Sequence, residues 1–270
     1  MHEVTKHWRA LLLLSCVLVL AGCVESDRKA KPEAAQQLLK LRGYEFDEKN
    51  FHQAAAVRDM MAITAFLDAG MNPNVQNASD GRTALIAAAV HGDVEVAKLL
   101  LQRGADVNVK DKQGNTALFQ AIEMRNEEVA RVILDQPNLD PNARGLNGVT
   151  ALMSYAWRDE NDVVRKLLDH GAEVNLQDND GDAALHGVAK TGNMELLNLL
   201  LDKGANPNLT NKLGGTPLMW AAVFGHEEAA QRLLARGADA ALKDAEGKTA
   251  LDWAVKNKSE KVVALLQKAR

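Results

Sequence analysis

A glycine–threonine signature recurs along this chain at a nearly fixed interval, and that interval constrains the fold more than any other property. The pairs Gly81/Thr83, Gly114/Thr116, Gly148/Thr150, Gly214/Thr216 and Gly247/Thr249 are completed by Gly181/Ala183, and successive glycines lie 33, 34, 33, 33 and 33 residues apart. A second marker runs out of phase with the first. It comprises Gly70, Gly104, Gly171, Gly204 and Gly237, and the asparagines Asn74, Asn108, Asn142, Asn175 and Asn208 recur at a matching spacing. A period of this length means that each repeat is one supersecondary unit too small to bury its own apolar face, so neighbours must stack into a continuous core.

One unit can be read from its residues. In Thr83–His91 the threonine oxygen is placed to satisfy early helix N–H groups, and the following alanines allow close helix approach. Gly92-Asp93 breaks that helix. A second helix over 94–102 sets Val96, Leu99 and Leu100 on one side at helical spacing. Gly104 suits the left-handed position that ends it, and Asn108 is expected to open a hairpin-like turn through a positive φ. Such helices fall below the roughly 12–15 residues at which isolated helices become marginal, so no unit stands alone.

The period, with Asp111-Lys-Gln-Gly-Asn-Thr-Ala-Leu-Phe119 leading to Pro141-Asn142, resembles the ankyrin repeat. The resemblance implies an all-α repeat solenoid of helix-turn-helix units joined by β-hairpin-like loops, spanning 44–270 in about seven units with atypical caps. Departures from the pattern mark particular units. Asp135–Asn142 replaces a Gly-Ala turn and adds a residue, with Asn138 the candidate for the left-handed position. Ala183 removes a capping threonine, for which Asp182 is the candidate replacement. Asp159-Glu160 stands where the family has Gly-His, and Tyr155 takes a place usually held by alanine.

The N-terminus carries a different message. Lys6 and Arg9 precede an apolar run from Ala10 to Leu20, too short for a permanent span needing about 20 residues. Leu20-Ala21-Gly22-Cys23 is similar to the lipobox of bacterial lipoproteins. The resemblance implies a signal peptide over 1–22 that is cleaved, lipid attachment at Cys23, and membrane anchorage through that lipid. Residues 23–43 then read as the lipidated cysteine and a tether, with a short helix near 33–41. Val24, rather than aspartate, favours the outer membrane facing the periplasm. Cys16 lies in the removed segment, so no intramolecular disulfide is expected.

A net charge of −4 without a basic excess argues against nucleic-acid binding. No HExxH, Cys-x-x-Cys or phosphate-loop pattern occurs, and Asp178-Asn-Asp-Gly181 has Gly187 where a calcium loop needs its glutamate. No catalytic residue, metal site, cofactor or small-molecule substrate is therefore expected, and the chain reads as a monomer that binds a protein partner. Family geometry places His91, Met124, Trp157, Arg158 and Phe224 on the concave helix face and Leu146 and Leu213 on the loop tips. Trp157 and Arg158 are the leading pair, since such residues dominate interface hot spots. Trp157 also has an inward reading, beside Tyr155, while Trp220 and Trp253 read as stacked core. Two functions follow: a lipid-anchored module that binds, inhibits or protects another envelope protein, or an assembly organiser of the outer membrane without one tight partner.

Overall fold

The computed structural model describes residues 31–269. The apolar run, the lipobox, Cys23 and Val24 lie outside the described residues. A first helix, α1 (Pro32–Leu41), precedes seven helix pairs. They are α2 (Glu48–Ala56) with α3 (Met60–Asp68), α4 (Ala84–His91) with α5 (Val94–Gln102), α6 (Ala117–Glu123) with α7 (Glu127–Leu134), and α8 (Ala151–Ala156) with α9 (Asn161–Asp169). Then follow α10 (Ala184–Thr191) with α11 (Met194–Asp202), α12 (Pro217–Phe224) with α13 (Glu227–Ala235), and α14 (Ala250–Lys256) with α15 (Glu260–Lys268). We number the pairs as units one to seven. First helices stack on first helices (α4 on α6, α10 on α12, α12 on α14), and second helices on second helices (α5 on α7, α11 on α13, α13 on α15). The result is a two-layered all-α repeat solenoid. Among the described residues no helix is long and apolar enough to cross a membrane.

The capping chemistry follows the sequence. The hydroxyls of Thr83, Thr116, Thr150, Thr216 and Thr249 accept from the backbone N–H three residues on, at 3.2–3.3 Å. Gly104 adopts φ +84, which lets the N–H of Ala105 reach back to the Leu100 carbonyl and close α5. In unit five Ala183 offers no side-chain cap. Asp182 does not replace it, because its carboxylate accepts from Asn211 Nδ2 at 3.0 Å instead. What remains is the reverse half of a capping box: His186 Nδ1 accepts from the Ala183 N–H at 3.0 Å.

The recurrent asparagines do something other than turn the chain. Asn108 and Asn138 are absent from the positive-φ residues, so neither holds a left-handed turn. Each asparagine instead reaches into the next unit. Asn108 Oδ1 accepts from Asp140 N at 2.8 Å while its Nδ2 donates to the Asn138 carbonyl at 2.7 Å. Asn175 pairs in the same way with Asn206 N and the Gly204 carbonyl, and Asn208 with Asp239 N and the Gly237 carbonyl. The loops also bond to one another, Lys112 N to Asp80 O and Ala245 N to Leu213 O for example. Among the described residues hairpin-like pairing is otherwise slight: one isolated antiparallel bridge joins Arg144 to Thr150.

The stretch expected to be a tether is partly folded. Ala35 and Leu39 of α1 are buried in the common core, where α1 packs on α3. Arg42, just past the C-terminal end of α1, binds the carboxylate of Asp59, which caps the N-terminus of α3, so the two helices run antiparallel. The folded body thus includes Pro32–Leu41, ahead of the expected start at residue 44. Tyr44 and Phe46 then pack their rings on Phe66 of α3, at 6.0 Å between centroids.

Candidate protein-binding surface

First helices and loop tips together wall a groove, and its floor over units four to seven is aromatic. Trp157, Trp220 and Trp253 all line it, each half-buried. Trp220 and Trp253 sit at equivalent positions in α12 and α14, and the equivalent position in α10 is Gly187. A Cβ on Gly187 would lie 1.6 Å from Trp157 Cδ1. Trp157 therefore lies across the bare backbone of the next unit, where its indole nitrogen points at the Ala183 carbonyl, 3.5 Å away. It does not turn inward beside Tyr155. Trp220 and Trp253 pack against the core, as their stacked-core reading expects, but only in part: both are half-buried and also line the groove.

Cations sit over these rings. Lys190 Nζ is 5.7 Å from the Trp220 centroid and 5.6 Å from that of Phe224, while Lys248 and Lys256 lie 4.6 and 4.4 Å from Trp253. Each contact stabilises by roughly 0.5–1 kcal/mol at exposed sites and fixes the lysine against the ring. Two hollows result. One of about 230 Å³ lies between Trp157, Asp182, Lys190 and Trp220. The other, about 280 Å³, is floored by Met219, Trp220, Val223 and Trp253 and flanked by Leu213 of the loop. Trp253 Nε1 donates to Asp244 at 2.7 Å. Burial works upward on that carboxyl, but the Lys248 N–H and the indole hold it below the ordinary range.

The residues expected to bind a partner separate into those the groove gathers and those it does not. Phe224, 46% exposed, stacks on Trp220 at 6.0 Å, and Leu213, 73% exposed, borders the same ring. Met124, Leu146 and His91 are exposed, but they belong to units three, four and two. None of the three lines either of the two hollows around Trp220. Arg158 is exposed yet turned away from Trp157. Its Nη1 donates to the Ile122 carbonyl of the preceding unit at 3.1 Å and lies 3.9 Å from Glu127.

The cause lies in the neighbouring residue. In units three and six the residue directly after the break donates to the carbonyls that end the previous first helix: Asn126 to Ala89 and Val90, His226 to Lys190. Glu160 occupies that place in unit four and has nothing to donate. Arg158 supplies the missing donor. Behind it Tyr155 is fully buried and donates to Glu127 at 3.2 Å; burial, and then the Glu127 charge, push its phenol far above the ordinary range.

His186 is also committed to the fold. With Nδ1 accepting from Ala183, its Nε2 donates to the carbonyls of Leu209 and Gly215 at 3.1 and 3.3 Å. Burial holds its imidazole below the ordinary range against the opposing pull of Asp182. Asp178, in the calcium-like stretch, accepts from the backbone N–H of Asp180 and Asp182 and simply closes its own turn.

Comparison with known proteins fits this geometry. The family model for ankyrin repeats matches in three copies, over residues 51–145, 138–211 and 185–270. An ankyrin repeat-containing protein of Treponema pallidum is 36% identical over 170 residues, covering 62% of this chain and 55% of that one. The ankyrin repeat domain of Bcl-3 aligns with a TM-score of 0.65 at 28% identity, over 80% of this chain and 97% of that one. An ankyrin repeat domain from Acinetobacter baumannii gives 0.62 at 27% identity, over 68% and 96%. The chain spans only 6–55% of the length of the first curated relatives it matches. Repeats of this kind are protein–protein interaction modules and typically not catalytic. With family matches running from residue 51 to 270 on a stack of seven helix pairs, this chain belongs to the ankyrin-repeat family.

Proposed function

We propose that this chain is a lipid-anchored, periplasm-facing interaction module that binds, inhibits or protects another envelope protein through the groove of units four to seven. The observation that carries the proposal is the row of three half-exposed tryptophans with lysines set over two of them, in a fold whose business is protein binding. Large rigid rings give contact area at little entropic cost, and tryptophan is enriched among interface hot spots. The lipobox ending at Cys23 supports the anchor, and Val24 after it supports outer-membrane sorting.

Chemical cross-linking in intact cells, followed by mass spectrometry, tests this reading against a Trp220→Ala/Trp253→Ala variant. One dominant cross-linked protein, lost in a variant that melts near the parent, is the expected result. Many weak cross-links, unchanged in the variant, would overturn it in favour of a general envelope organiser.

A further inference from the structure

The N-terminal end of the stack carries its own exposed apolar cluster, away from the groove. Leu41, Val57 and Met61 are 73%, 61% and 52% exposed; Leu41 ends α1, and Val57 and Met61 flank the turn between α2 and α3 to which Arg42 bonds. Arg42, next to Leu41, ties the end of α1 to this turn: it binds the Asp59 carboxylate at 2.7 Å, and its Nη1 lies 3.8 Å from Met61 Sδ. Val57 and Arg58 directly precede Asp59 in the chain. Arg58 in turn pairs with Asp93 at 2.5 Å.

Charge is layered in this cluster. The carboxylates lie underneath, with Asp59 and Asp93 side chains 12% and 4% exposed, while the Arg42 and Arg58 side chains above them are 36% and 62% exposed. With exposed Lys40 beside Leu41, the outer surface offers aliphatic groups rimmed by cations. Proteins rarely expose apolar side chains in a group without a counterpart. Cations around aliphatic side chains match the boundary of a bilayer, where phosphates lie above acyl chains.

The chain length supplies the other half. Eight residues separate Cys23 from Pro32, the first residue of α1. Fully extended they reach about 28 Å, while the ten residues of α1 advance about 15 Å. A lipid on Cys23 therefore leaves ample reach to lay the far end of α1 on the same membrane.

We propose that Leu41, Val57 and Met61, with Lys40, Arg42 and Arg58, form a docking patch for the anionic bilayer surface, holding the N-terminal end of the stack against the membrane. This rests on the lipid-anchor reading above. Leu41, Val57 and Met61 enter the headgroup boundary and the cations meet lipid phosphates. The tryptophan groove, three units further along, stays clear of the lipid.

The chain from Cys23 onward, which contains every described helix and one thiol, tests the patch. It is coupled through Cys23 to maleimide lipid in vesicles of phosphatidylethanolamine and phosphatidylglycerol, and amide hydrogen exchange is compared with the untethered chain. Exchange is expected to slow around Leu41–Gly43 and Val57–Met61 and to stay unchanged in α14 and α15. The slowing should vanish in a Leu41→Ser/Val57→Ser/Met61→Ser variant whose melting matches the parent. Equal exchange with and without tethering would overturn the proposal, as would slowing that persists in that variant. Concentration-dependent slowing of the untethered chain would also overturn it, assigning the patch to a second copy. The anchor is read separately, from the mass of the Cys23 peptide recovered from cells, so an unmodified cysteine defeats the anchor without being confused with failure of the patch.

Discussion

At the scale of single residues, the departures from the repeat pattern are where chemistry can be tested. The position that breaks the first helix is glycine in units two, five and six, but Arg58, Arg125, Asp159 and Lys258 adopt φ of 58 to 61 in the others. A left-handed conformation costs a side chain roughly 1–2 kcal/mol. Arg125→Gly should therefore raise stability by about 1 kcal/mol, after the greater entropy of an unfolded glycine is set against it; equilibrium denaturation measures this. Asp159 is a poorer choice because it accepts from Thr191 at 2.9 Å. His186 makes a pH prediction. Its folded pKa is lowered, so it is neutral in the fold, whereas the unfolded chain takes up a proton near pH 6.5. The contribution is fully present above that value and is lost as pH falls below it, because the unfolded state then binds more protons. His186→Gln keeps an acceptor for Ala183 and should flatten that part of the stability profile, with the imidazole remaining neutral by NMR below pH 6.5 in the parent. Gly187→Ala should expel Trp157 from its seat, seen as a red shift in tryptophan emission.

At the scale of elements, the asparagine ladder makes each unit depend on the next. Asn208→Ala removes two bonds into unit seven, and should cost about 1–2 kcal/mol in equilibrium denaturation, since each partly exposed bond contributes on the order of 1 kcal/mol. Helix positions, threonine caps and the glycine that closes α5 were all legible in the sequence, because these are local: a cap needs an oxygen and an N–H three residues away. The purpose of the asparagines was not, since their partners lie 30 or more residues along the chain in Asn108 and nothing local signals them. Arg158 is the instructive case. Its residue type suits an interface, but Glu160 had taken the place of a donor, and only the geometry shows which group makes good the loss. The site was half legible for a similar reason: Phe224 and Leu213 could be assigned by position, whereas Trp220 and Trp253 required knowing which way a helix position faces.

For the whole molecule, α1 changes what the N-terminal segment does. Leu39 is fully buried, so Leu39→Ala should lower stability by about 2–4 kcal/mol, where a plain tether would show no change. The short helix expected near 33–41 within the tether is present at Pro32–Leu41, and two buried side chains on one face, Ala35 and Leu39, suffice to dock it on the stack. A solenoid is usually regarded as a string of exchangeable parts, each contacting only its neighbours. The seating of Trp157 over Gly187 alters that here. Unit four carries a ring whose seat exists only while unit five lacks a Cβ at 187, and unit five carries a bare backbone that this ring covers. Duplicating or deleting either unit alone would unseat the ring or uncover the backbone, so these two units are not freely exchangeable with their neighbours.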